Sequence, residues 1–461
     1  MQIIAKSKFE GRGVIRAMAA FAFAALAAGC SQSGAPGNVE EGTLLYGRVT
    51  AQDGSALVGI PVRAHGQDKN FSVVVYSDAE GNYSFPAWSD LAPGMHSVSI
   101  ELPDFEDLRM DAVALSESTP AKADFALVAK TPSIEDATAS EILAALPGTD
   151  HEKMLFSQCS NCHTLQRALR WEFDQAGWEQ IIHLMGGRRR TEVDFPKSYS
   201  YAQNRFVEPL SHYLASLRGP GSSEDIPFTL RPRPTSAEAA RLVVTEYDLP
   251  RGGEFDLYMV RGDVDSDDKH VWPHDVVVDD TYAYYTDHFS NALGRVDKKT
   301  GEATELFYPV PPGGGRETNA APGELRAGNP GGGAHDLLRD SQGNLIIGMG
   351  DATVRYNPST GEFDQWLSGQ STFGLGPDDH VWHLDDGGPL VELNTHTGEI
   401  TEHPIPDIES VYDMETDSKG RTVLDIYRGS AIGIYDPETE EFRQYATHTT
   451  ESGPRRGEVD A

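Results

Sequence analysis

Apolar and polar residues alternate in short runs near the start of the chain, take helical spacing in the middle, and return to short runs for the second half. Leu44-Leu45-Tyr46-Gly47-Arg48-Val49, Ile60-Pro61-Val62-Arg63-Ala64, Val74-Val75-Tyr76, Tyr83-Ser84-Phe85 and Ser97-Val98-Ser99-Ile100 are separated by Gly, Asp, Asn and Pro. Strand-length runs broken by turn residues predict an all-β antiparallel sandwich over residues 42–129. From 145 to 219 the pattern predicts an all-α module. Asp150 to Gln158 can form a helix with Asp150 as its N-cap. Trp178, Ile181, Ile182 and Met185 recur at i, i+3, i+4 and i+7 and stop at Gly186-Gly187. Phe206, Leu210, Tyr213, Leu214 and Leu217 stripe a further helix over Asn204 to Leu217, closed by Arg218-Gly219-Pro220. Residues 130–144 and 220–239 read as linkers.

One turn is used four times between 240 and 461: Val296-Asp297-Lys298-Lys299-Thr300-Gly301-Glu302, Tyr356-Asn357-Pro358-Ser359-Thr360-Gly361-Glu362, Leu393-Asn394-Thr395-His396-Thr397-Gly398-Glu399 and Tyr435-Asp436-Pro437-Glu438-Thr439-Glu440-Glu441. The copies start 60, 37 and 42 residues apart, the first interval lengthened by the Gly/Pro-rich stretch from Pro309 to Gly333. A period of about 40 residues holding several strands predicts the blades of an all-β propeller. Each unit reads as a strand, an Asp-Gly-type turn as in Asp340-Ser341-Gln342-Gly343 or Asp417-Ser418-Lys419-Gly420, a second strand, a third strand ending in the repeated turn, and an outer strand.

Charge narrows the partners. With 71 acidic against 38 basic residues the net charge is −33, which disfavours nucleic acid and anionic surfaces and favours solubility or basic partners. The N-terminus has its own character. Lys6, Lys8, Arg12 and Arg16 precede an apolar run from Ala17 to Ala28, so residues 1–30 read as a cleaved export signal. Leu26-Ala27-Ala28-Gly29-Cys30 resembles the lipobox of bacterial lipoproteins, which implies lipidation of Cys30 and a flexible tether over residues 31–41. Ser31 after the cysteine resembles outer-membrane sorting, giving a periplasmic-face, lipid-anchored protein. No later run reaches the length of a membrane span, so membrane contact is expected through the lipid alone.

Cys159-Ser160-Asn161-Cys162-His163 carries the most specific chemistry. Cys-x-x-Cys-His is the attachment signature of a covalent c-type haem, with Cys159 and Cys162 bonded to the vinyl groups and His163 as the proximal iron ligand. A redox dithiol or a zinc half-site uses the same residues, but the first wants a βαβ surround and the second two more ligands. The helices bracketing the motif resemble those of small class I cytochromes c. Met185, on the apolar stripe, is the favoured distal iron ligand; His183, His212 or an open position are the alternatives. Arg188-Arg189-Arg190, a basic run in an acidic chain, can steer a redox partner, hold a haem propionate, or be a solvated loop.

Two further family resemblances set expectations. Ser77-Asp78-Ala79-Glu80-Gly81-Asn82-Tyr83-Ser84-Phe85 followed by Leu91-Ala92-Pro93-Gly94 resembles the carboxypeptidase regulatory-like (prealbumin-like) domain, whose carbohydrate-binding-like fold leaves a glycan as a possible partner. Trp272-Pro273-His274-Asp275-Val276-Val277-Val278, Tyr284-Tyr285-Thr286-Asp287-His288 and Asn291-Ala292-Leu293-Gly294-Arg295-Val296-Asp297 resemble a blade of virginiamycin B lyase, the streptogramin lyase propeller. That resemblance implies a histidine base, an acidic neighbourhood and a magnesium ion. His274-Asp275 and His335-Asp336 open successive blades at equivalent positions, and Tyr412-Asp413 a later one, so these side chains are expected near a central channel. There they can bind a divalent metal, act as acid and base, or satisfy one another. Ser452 to Ala461 resembles the opening of a further blade, so the propeller is expected to continue past this sequence or to close with help from Arg241 to Leu249.

The functions left in play are three. The first is an exported, lipid-anchored monohaem cytochrome passing electrons to a redox partner or small molecule, with the propeller as platform. The second is a lyase-like or haem-coupled oxidoreductase propeller enzyme, and the third a carbohydrate- or surface-binding scaffold.

Overall fold

The structure, a computed structural model, describes residues 41–161, 164–187, 197–250, 271–308 and 334–459 apart from a few positions within them; of Met185 and residues 197–206 it describes the backbone alone. The chain divides into two compact units, passing from the first to the second between Glu246 and Tyr247. Within the first unit, β1 (Leu45–Ala51), β2 (Pro61–Gly66), β3 (Phe71–Tyr76), β4 (Asn82–Ser84), β5 (Gly94–Leu102), β6 (Phe105–Leu115), β7 (Ala121–Lys122) and β8 (Phe125–Leu127) build two sheets. Leu45, Val49, Val62, Ala64, Val98 and Ile100 are each at most 1% exposed, as period-2 alternation requires of one buried face.

Two features depart from a purely antiparallel sandwich. β1 pairs antiparallel with β4 but parallel with both β7 and β8. The second sheet runs β6-β5-β2-β3-β9, in which β9 (Val243–Tyr247) comes from far along the chain. Residues 243–247 therefore extend the sandwich sheet instead of closing the propeller. The Asp-x-x-Gly-x-Tyr motif has a local cause: the Asp78 carboxylate accepts from the amides of Glu80 and Asn82 at 3.0 and 2.7 Å, and Gly81 takes φ +81°, a conformation glycine adopts at least cost. Tyr83 then donates its hydroxyl to the Ala123 carbonyl at 2.5 Å. A Cβ on Gly47 would lie 1.8 Å from that same oxygen, so only glycine admits this close approach.

The same unit holds α1 (Ala139–Ala145), α2 (Asp150–Ser157), α3 (Leu165–Leu169), α4 (Gln175–Gly187) and α5 (Lys197–Arg218). Thr149, not Asp150, caps α2: its hydroxyl accepts from the Glu152 amide at 3.3 Å while the Glu152 carboxylate accepts from the Thr149 amide at 2.7 Å, a reciprocal capping box. α5 starts at Lys197, seven residues before the helix read from its apolar stripe, because that stripe marks the packed part of a helix and not its full length. Phe156, Leu165, Trp178, Tyr213 and Leu214 form a shared apolar core, with Phe156 and Tyr213 rings edge to face at 6.4 Å between α2 and α5.

The second unit contains four successive four-stranded antiparallel meanders. They are β10 (Pro273–Val278), β11 (Tyr282–Asp287), β12 (Ala292–Asp297) and β13 (Ala303–Phe307); β14 (Leu337–Arg339), β15 (Leu345–Met349), β16 (Ala352–Asn357) and β17 (Glu362–Trp366); β18 (Gly374–Leu375), β19 (His380–Leu384), β20 (Leu390–Asn394) and β21 (Ile400–His403); and β22 (Val411–Thr416), β23 (Thr422–Ile426), β24 (Ala431–Asp436) and β25 (Glu441–Ala446). First strands of neighbouring meanders touch, β10 with β14 and β18 with β22, and apolar layers fill the space between successive sheets. These are propeller-type blades. The repeated turn joins the third and fourth strands each time. In the first copy the Asp297 carboxylate accepts from the amides of Lys299 and Thr300, both at 2.8 Å, and Gly301 closes the turn at φ +75°. Glu440 takes that left-handed position in the fourth copy, at φ +56°. Residues 452–459 form no strand.

Candidate functional site

The strands that open the blades bring their polar side chains together. Just ahead of β14, His335 and Asp336 are 8% and 6% exposed. The His274 ring from β10 lies against that of His335 with centroids 3.6 Å apart, and its Nδ1 is 3.2 Å from the His335 carbonyl oxygen. Nδ1 of His335 is 2.6 Å from Oδ1 of Asp336. The other Asp336 oxygen accepts from the Phe373 amide at 3.2 Å, and the carboxyl is electrostatically coupled to that of Asp413 on β22. Atoms of His274, His335 and Asp336 lie within 4.8 Å of one another, close enough to share a cation. Asp275 points elsewhere: Oδ2 accepts from the Leu337 amide at 2.9 Å, joining the first blade to the second.

Burial governs the protonation of this cluster. It drives the Asp336 carboxyl up to about 7, helped by the charge of Asp275, and the Asp413 carboxyl up to about 7, helped by Asp336. Glu415 is also pushed up to about 7 by burial and then by Glu458. His335 is pushed down to about 4, again by burial first and by the Arg456 guanidinium second. A 2.6 Å histidine–aspartate contact would ordinarily hold both partners charged. Here the loss of water outweighs that attraction, and both move toward neutrality. Two coupled carboxyls, both raised to about 7, can hold a proton between them next to an imidazole that burial drives toward neutrality. That arrangement can accept or deliver protons near neutral pH.

Several members were not evident from the sequence. Glu415 follows Asp413 by two positions, which places both on one face of a strand, a signal that was available. Asp425 is paired with Asp413 across β22 and β23. Like charges directly opposite one another are destabilising in a sheet, and burial raises Asp425 while the Gly457 amide donates to it. Residues 455–457 also reach the cluster: Arg455 lies 4.1 Å over the Tyr412 ring and Arg456 is 3.3 Å from Nδ1 of His274. No local pattern announced those contacts.

In the first unit, Cys159 sits half-buried in a 3-10 turn, Gln158–Asn161, directly after α2, packed on the helical core. Cys162 and His163 lie outside the described residues, as do Cys30, Trp272, His288 and the stretch Pro309 to Gly333. Met185 is on α4, and its side chain is likewise outside what is described. On the same helix Trp178 is buried, with Ile181 and Ile182 packed on the core, whereas His183 is exposed, and so is His212 on α5. Among the described residues no helix is long and apolar enough to cross a membrane.

Comparison with known proteins adds three findings. No curated protein matches the chain. Among solved structures, a catalytically inactive virginiamycin B lyase from Staphylococcus aureus with quinupristin is 15% identical, with a TM-score of 0.34, over 46% of this chain and 62% of that one. A streptogramin B lyase structure is 16% identical over 40% and 57%, with a TM-score of 0.32, so the chain spans about three fifths of the length of these lyases. The calcium-binding protein regucalcin from Agrobacterium tumefaciens is 13% identical over 38% and 74%, with a TM-score of 0.24. Residues 45–128 match the carboxypeptidase regulatory-like domain, so this chain carries such a domain ahead of a helical segment and a set of propeller-type blades defined by their strand pairing.

Proposed function

We propose that this chain is an exported, lipid-anchored monohaem c-type cytochrome, with the bladed region as the platform for its redox partner or small-molecule substrate. The observation that carries this reading is the placement of Cys159, half-buried at the end of α2 on the core that α2 and α5 share. The residues fit a haem of this type. Cys159 and Cys162 would offer the thiols and His163 the iron ligand, beside the apolar core of Phe156, Leu165 and Trp178 on which Cys159 packs. Haem held there supplies a one-electron couple. Met185 is the proposed second ligand, since His183 and His212 face solvent. Cys30 provides the lipid anchor and residues 31–41 the tether, on the periplasmic face of the outer membrane. Expression with haem-maturation machinery tests the proposal. The chain should stay haem-stained after denaturation and lose the stain in Cys159→Ala/Cys162→Ala; a wild-type chain without covalent haem would end it.

The shared-proton cluster favours a second reading, in which the blades bind and transform a substrate by acid–base chemistry, with or without a divalent ion on His274, His335 and Asp336. Candidate substrates that reduce the haem would join the two readings. Reduction at unchanged rate in His274→Ala/His335→Ala would separate them.

A further inference from the structure

A second group of ligand-type side chains lies on the third blade and shares no residue with the cluster of His274, His335 and Asp336. Register puts it on one face: Trp382 pairs with Glu392 and Leu390 with His403, so His380, Glu392 and His403 line up across β19, β20 and β21. Nδ1 of His380 is 2.6 Å from Oε1 of Glu392 and 3.4 Å from Oδ2 of Asp378. Donor atoms of all three residues lie within 4.8 Å of one another.

Their surroundings hold them in place. The second Glu392 oxygen is 2.9 Å from Nε2 of His403, whose Nδ1 is 3.0 Å from the Tyr435 hydroxyl on the fourth blade and whose ring stacks on Trp382 at 4.9 Å. Asp378 is seated over Gly376, where a Cβ would lie 2.5 Å from its Oδ1. Asp379, buried at φ +64°, turns its own carboxylate away to Ser341. That left-handed residue lets Asp378 and His380 face the same point. Among the described residues, the ion-pair partners found for Asp378 and Glu392 are imidazoles, with no lysine or arginine between them.

We propose that Asp378, His380 and Glu392 hold a divalent cation on the flank of the third blade, with His403 and Tyr435 orienting Glu392 from behind. An imidazole with two carboxylates suits zinc or manganese better than calcium, which prefers oxygen alone. Ligands at about 2.1 Å from an ion sit about 3 to 3.5 Å apart. The 3.4 Å contact already has that spacing, and the 2.6 Å contact needs only to open as the ion replaces the proton shared by His380 and Glu392. The ion would tie β19 to β20 and, through His403 on β21 and Tyr435, engage the next blade.

The test is calorimetric titration of tag-free, chelator-stripped full-length chain with zinc and, separately, manganese, in a His274→Ala/His335→Ala background that silences the other cluster. One ion bound per chain, with a raised unfolding temperature, is expected. Adding Asp378→Asn or Glu392→Gln should weaken binding by about 100-fold and abolish the temperature rise, and adding His403→Gln by about 10-fold. Asp378 is 57% exposed, so its variant remains informative if Glu392→Gln does not fold. Absence of binding in the His274→Ala/His335→Ala chain, or affinity unchanged by Asp378→Asn, would overturn the proposal.

Discussion

Histidines and carboxylates meet at two places in the blades, and water treats them differently. Where the blades open, Asp336 and His335 are buried, and the half-buried Asp413 and Glu415 are raised further by neighbouring like charges. On the third blade, Glu392 lies between two imidazoles and Asp378 is more than half exposed. The first arrangement resolves its electrostatic conflict by holding protons. The second has donors facing acceptors, a geometry that an ion can take over. Similar residue types thus serve different chemistry according to burial and to what stands opposite them.

Stability against pH is the largest way to sharpen this contrast. Asp336, Asp413 and Glu415 titrate near 7 when folded but near 4 when unfolded. Between those values the folded chain binds more protons, so stability is highest at the acid end and falls as pH rises through the window. His335, lowered to about 4, acts in the opposite direction below its unfolded value of about 6.5, but it is one group against three. Calorimetry should show the unfolding midpoint dropping by several degrees from about pH 5 to about pH 8. Asp336→Asn/Asp413→Asn should flatten that slope; an unchanged slope would mean the carboxyl pair is not its source.

Asp275→Ala comes next. It strips the acceptor from the Leu337 amide, leaving a part-buried donor unpaired, and should cost about 1 to 3 kcal/mol in denaturant unfolding. Without metal, Glu392→Gln should cost about 1 kcal/mol, since the amide can still pair with both imidazoles. A loss as large as that of Asp275→Ala would erase the difference between the two clusters. The smallest effect is a gain. Glu440→Gly should stabilise by about 0.5 kcal/mol, because it brings the fourth copy of the repeated turn into line with the glycine used in the other three.

The blades were legible because their turns are written locally. Asp297, Asn357 and Asn394 each fold their side chain onto the amides that follow, and the glycine four positions later takes positive φ. The sandwich motif from Asp78 to Tyr83 was readable for the same reason. The parallel pairing of β1 with β7 and β8 was not, since nothing local records which distant strand lies alongside. The N-terminal reach of α5 escaped as well, because residues 197–203 lack the apolar stripe that betrays a packed helix. His274, His335 and Asp336 could be placed near one another from their equivalent positions in the repeat. Asp425, Arg455 and Arg456 could not.

By itself the sequence determined the periods: alternation for the sandwich and blades, helical spacing in the middle, a repeat of about 40 residues, and the Cys-x-x-Cys-His spacing. These depend on neighbours within a few residues. Only the tertiary structure decided that β9 joins the sandwich sheet, that Asp413 is coupled to Asp336, and that Asp378, His380 and Glu392 converge. Each of those outcomes depends on strand register and on the exclusion of water, which exist only once distant segments have packed.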